Sequence, residues 1–110
     1  MTTFNIKRFK EINTQELESK LEVIERTIKP TQFTISNGDI NFVVNTLGIN
    51  ELDTLEDLTS LRNAIVLHYQ KIIEKCDRGA YGNGWQRYFI FLTAITHCVD
   101  VRLADLGLMY

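Results

Sequence analysis

"TQFTISNGDINFVV", residues Thr31–Val44, is the stretch on which the fold class turns. Asn37-Gly38 stands at its centre. Both residues tolerate positive φ, and a type I′ turn built on them is the commonest way to reverse a two-residue β-hairpin. With that loop, Ser36 opposes Asp39, Ile35 opposes Ile40 and Phe33 opposes Phe42. The apolar pairs fall on one face, and a slip of one residue would destroy the agreement. The stretch therefore predicts a β-hairpin, with Phe33, Ile35, Ile40 and Phe42 laid on neighbouring helices.

Upstream, Asn13 followed by Glu16 has the form of a capping box. Leu17, Leu21, Ile24 and Ile28 recur at helical spacing behind it. Glu16–Lys20, Glu22–Arg26 and Glu25–Lys29 are i,i+4 pairs in the favourable orientation. Pro30 stops the segment, because its ring and its lost N–H both oppose a helix. This predicts an amphipathic surface helix whose charged face is solvated. Further upstream, Thr3–Phe9 alternates Phe4 and Ile6 with polar residues and is expected to add a short strand.

Downstream, Asn45–Leu52 reads as a connector around Gly48, and Asp53 with Glu56 as the cap of a long helix. Leu58, Leu61, Ile65, Tyr69, Ile72 and Cys76 then run with a period nearer 3.6 than 3.5, as in a core helix of a globular domain. The final segment, Gly84–Gly107, carries Trp85, Phe89, Leu92, Val99 and Leu103 in one stripe, widened by Tyr88, Phe91, Ile95 and Leu106. Ile90, Ala94 and Val101 lie on the opposite side, which predicts a helix covered on two sides. The expected fold is thus a single α+β domain over residues 1–110, of order β-α-β-β-α-α, with the hairpin packed against three helices.

Composition bounds the function. The 110 residues carry 45% hydrophobic and 24% charged residues and a net charge of −2, an ordinary globular balance. Such a balance argues against a nucleic-acid partner, since phosphate binding requires a basic surface. Two cysteines and no CxxC fit a reduced, cytoplasmic setting. The longest apolar run, Tyr88–Leu92, is far short of the roughly 18 residues of a membrane span.

Chemistry-bearing residues are few. Gly79, Gly82 and Gly84 form G-x-x-G-x-G before a helix, between Arg78 and Arg87. Glycines at a helix start let backbone amides approach an anion. The loop follows a helix rather than a strand, however, and Gly84 precedes Trp85-Gln86 instead of Lys-Ser/Thr, so neither nucleotide-binding fingerprint is met. A helix-to-helix reversal is the expected role, with anion or nucleotide binding by residues 78–87 as the alternative. Tyr81, Trp85 and the flanking arginines are also the residue types that dominate protein-binding hot spots. Thr93, His97 and Asp100 share one polar row, which offers a general base without a recognisable nucleophile. His68, Cys76, His97 and Cys98 match no zinc spacing, so no metal or other cofactor is expected. Arg62 stands inside an apolar stripe, where a buried guanidinium would need a carboxylate or carbonyl partner; it is expected to snorkel out at the core edge near the helix start, with an anion- or partner-binding arginine in a cleft as the alternative.

These readings predict a small interaction protein: an inhibitor, regulator or accessory subunit without catalytic activity. Its apolar last helix exceeds what one hairpin and two helices can cover, so self-association is expected.

Overall fold

A computed structural model of the chain describes residues 14–31, 34–77 and 84–108. Among them it contains four α-helices and no strand: α1 Thr14–Thr27, α2 Asn37–Leu47, α3 Leu55–Asp77 and α4 Gly84–Asp105. The fold is all-α, and the expected α+β class with its hairpin is corrected. The expected Thr3–Phe9 strand and the Asn13 cap lie outside the described residues, as does Phe33.

The correction centres on Asn37-Gly38. These two residues form the first turn of α2, not a reversal. Ser36, extended at φ −69° and ψ 156°, caps that turn, its hydroxyl accepting the Asp39 N–H at 3.1 Å. The Ser-x-x-Asp pattern that starts the helix sits on the same four residues that resemble a hairpin loop. Helical periodicity also outcompetes alternation. Val43 and Leu47, four apart, are fully buried, whereas the hairpin face residues Ile35, Ile40 and Phe42 are only half-buried. An isolated two-stranded hairpin leaves backbone groups on both edges unpaired and is marginal in water. A helix satisfies them internally, and Ile40 N–H already bonds the Ser36 carbonyl at 2.9 Å.

α2 ends on Gly48, whose φ of 69° is the left-handed conformation that glycine adopts without strain, and whose N–H returns to the Val44 carbonyl. One 3₁₀ turn, Ile49–Glu51, then leads to α3. The cap of α3 is Thr54, one residue beyond the expected Asp53, with its hydroxyl accepting the Asp57 N–H at 3.1 Å.

One core joins all four helices. Leu17, Leu21 and Ile24 of α1, with Ile28 just beyond it, meet Val43 and Leu47 of α2, Leu58, Leu61, Ile65 and Tyr69 of α3, and Phe91, Ile95 and Val99 of α4. α3 and α4 form the most intimate pair. Two polar links reach this pair from α1 and from the α2–α3 connection. Tyr69 of α3, fully buried, donates its hydroxyl to Glu25 of α1 at 2.6 Å. Glu25 therefore faces inward instead of pairing with Lys29, while Glu16–Lys20 and Glu22–Arg26 form as expected at 3.3 and 2.8 Å. At the other end Arg102 of α4 donates to the carbonyls of Leu52 and Asn50, at 3.0 and 3.2 Å, and ties the α2–α3 connection to α4.

Candidate functional site: the outer face of the last helix

At 100° per residue, Ile90, Thr93, His97 and Val101 of α4 share one face, roughly opposite the buried Phe91, Ile95 and Val99. Thr93, His97 and Val101 are exposed and Ile90 is half-buried. This face stands as a ridge between two open cavities. One, of about 360 Å³, lies between α4 and the α1–α2 connection and is lined by Thr31, Thr34, Ile35, Ile40, Ile90, Thr93, Ala94 and His97. The other, of about 380 Å³, lies between α4 and α3 and is lined by Arg62, Val66, Leu92, Thr93, Thr96, His97 and Asp100. Thr93 and His97 border both.

The first cavity owes its wall to a local turn. The Thr31 N–H donates to the Thr34 carbonyl at 2.9 Å, and the Thr34 N–H donates to the Thr31 hydroxyl at 3.1 Å. In the second cavity Arg62 reaches the core edge and pairs there with a carboxylate: its Nε donates to Asp100 Oδ1 at 2.9 Å. The pair is partly solvated, with side chains 40% and 26% exposed. It presents a nearly neutral polar rim above Val66 and Leu92. Asp100 thus engages Arg62. The Thr93 hydroxyl turns back to the Phe89 carbonyl at 2.9 Å, and the Thr96 hydroxyl turns back to the Leu92 carbonyl at 2.8 Å.

The predicted residues are only partly united. Arg62, Thr93, His97 and Asp100 meet at the second cavity. Trp85 lies farther along α4, its ring edge-on to Phe89 at 6.1 Å, beside a cavity of about 200 Å³ shared with Gln86 and Ile90. Arg87 lies over the rings of Tyr88 and Phe91, at 5.3 and 5.1 Å from their centroids. Arg78 and Tyr81 lie outside the described residues, and with them most of the loop on which anion or nucleotide binding was expected. Of the residues weighed as zinc ligands, His68 of α3 neighbours Glu18 of α1 at 3.9 Å, His97 stands on the outer ridge, and Cys98 is buried. Among the described residues no three His, Cys, Asp or Glu side chains gather to hold a metal ion. Burial pushes the Cys98 thiol up to about 11.

Thr31, Thr34, Ile35 and Ile40 were missed as site residues because the hairpin reading placed them in strands. The Ser36–Asp39 capping pattern, joined to Ile40, Val43 and Leu47 at spacings of three and four, marks them as the entry to a helix. No helix among the described residues is long and apolar enough to cross a membrane. No protein family model matches the chain, and neither does any curated protein or solved structure.

Proposed function

We propose that this chain is a small interaction module, an inhibitor, regulator or accessory subunit, that works by offering the outer face of α4 to another protein chain. What supports this reading is the ridge itself. It runs between two open cavities and leaves its own Val101 37% exposed, with Phe89 52% exposed beside it. Apolar side chains set among short polar ones, with aromatic and arginine residues at the rim, are the makings of a non-obligate interface. The hydroxyls of Thr93 and Thr96 bond their own helix and the Arg62 guanidinium is engaged by a carboxylate, so the ridge offers shape more than reactivity.

The test is photo-crosslinking in extract of the native cell. A photoreactive side chain at position 97 is compared with one at Asn63, exposed on α3. Protein adducts formed from position 97 and not from position 63 are the expected result. Adducts absent from both, or equal at the two, would remove the reading.

A further inference from the structure

We infer that the occupant of this face is a second copy of the chain, seated antiparallel on the same helix about a twofold axis level with Ile95 and Thr96. The inference rests on the interaction reading above and names its partner. Its first support is the spacing of the exposed row. Gln86, Ile90, Thr93, His97, Val101 and Ala104 recur at intervals of four, three, four, four and three. They stay within an arc of about 80° along the length of α4, so one straight face of the helix runs unbroken from end to end. With the axis at that level, Gln86 meets Ala104 of the second copy, Ile90 meets Val101, and Thr93 meets His97, each contact occurring twice. The two largest apolar residues of the row are thereby matched to each other.

Charge decides the direction. Arg87 and Asp105 are both exposed and lie five turns apart, so they fall on the same edge of α4. In an antiparallel pair that edge faces its own counterpart, and Arg87 comes opposite Asp105 of the second copy, twice. A parallel pair would set that edge against the opposite edge of the second copy, and Arg87 would lose Asp105 as its partner. On the other edge the exposed Phe89 comes over the Arg62–Asp100 pair of the second copy, where a guanidinium on an aromatic face is favourable. Antiparallel helix dipoles also attract. The contact is isologous and closes at two copies. α4 is about 33 Å long, and a strip ~20 Å wide, taking in half of each flanking cavity, reaches the roughly 600 Å² per partner of a small specific interface.

Sedimentation equilibrium of the whole chain provides the test, with circular dichroism and thermal unfolding to show that each variant is folded. The wild type should sediment as two chains. Arg87→Glu and Asp105→Arg should each weaken the dimer by roughly tenfold, and the double variant should recover most of the loss. Because Arg87 also packs on Tyr88 and Phe91, Val101→Arg provides an independent probe at an exposed site and should sediment as one chain. A single-chain mass for the wild type overturns the inference. So does a dimer indifferent to Val101→Arg, or a charge-reversed pair that does not recover. Position-97 adducts to some other protein, with a monomeric wild type, would overturn the second copy and leave the interaction reading standing. The absence of any adduct would remove both.

Discussion

Tyr69 brings a hydroxyl into the closed centre of the molecule, where a polar group is tolerated only with a partner. Glu25 supplies one at 2.6 Å. Tyr69→Phe should cost about 1–2 kcal/mol in urea unfolding, near the low end for a bond to a charged group, because the half-exposed Glu25 can rehydrate. The same pair predicts an alkaline effect. Burial first, and the Glu25 bond second, hold the hydroxyl protonated above its ordinary 10.0. The stabilisation is complete below that value and begins to fall as pH rises past it, continuing until the folded hydroxyl itself ionises, because over that range the unfolded chain has released a proton that the folded one keeps. The loss attributable to Tyr69 approaches ~1.4 kcal/mol per pH unit. Between about pH 9 and 11, wild-type stability should therefore fall more steeply than that of Tyr69→Phe, and equal slopes would refute the assignment. Cys98, 1% exposed and raised to about 11 by burial, should be alkylated far more slowly in the native protein than in urea, as followed by peptide mass mapping. The Arg62–Asp100 bond is half-solvated, so a double-mutant cycle should give at most about 1 kcal/mol of coupling.

α2 is the element where local pattern and tertiary demand part. Gly38 separates the two folds experimentally. In a type I′ turn its φ is positive, and Gly38→Ala is destabilising. In the first turn of α2 an added Cβ meets nothing closer than the Ser36 hydroxyl at 3.9 Å, an ordinary contact. There Gly38→Ala removes unfolded-state freedom and should raise stability by about 0.5 kcal/mol, the low end for a helix end. Ser36→Ala, which removes the cap, should lower it by about 1 kcal/mol. A thermal melt of both variants reads the signs. The other three helices were legible because each carries a long periodic stripe with a clear end, at Pro30 for α1 and near Asp77 for α3. α2 has eleven residues and only two fully buried side chains, so its periodicity competes poorly with one Asn-Gly step. The site was legible in pieces. Arg62 stood out as a cation inside an apolar stripe, and Asp100 stood in a polar row. Nothing along the chain joins residues 38 apart, and only the antiparallel packing of α3 on α4 does.

At the scale of the whole molecule, stability should be uneven, because the four helices do not share the core equally. α3 and α4 are the longest, at 23 and 22 residues, and they contribute most of the buried side chains to the common core. α1 adds a full apolar stripe and the Glu25–Tyr69 bond. α2 adds Val43 and Leu47, and beyond its capped ends it leans on half-buried Ile40, Phe42 and Val44. The Arg102 clamp lies beyond α2, on the carbonyls of Asn50 and Leu52, so it holds the entry to α3 and not the body of α2. Local opening follows the buried apolar area that must be given up. α2 can therefore swing out while α1, α3 and α4 remain packed, at a cost well below global unfolding. Native-state hydrogen exchange in rising denaturant should place the slowest amides near Ile65 and Tyr69 of α3 and Ile95 and Val99 of α4, merging with the global unfolding isotherm. The α2 amides should exchange faster, through an opening with a smaller denaturant dependence, since less surface is exposed. Arg102→Ala should lower global stability by about 1–2 kcal/mol, because the Leu52 carbonyl loses a charge-assisted donor at a part-buried position, and should leave the α2 opening nearly unchanged. If α2 instead exchanged on the same isotherm as α3, the four helices would form one cooperative unit, and the first cavity beside α4 would be as fixed as the core beneath it.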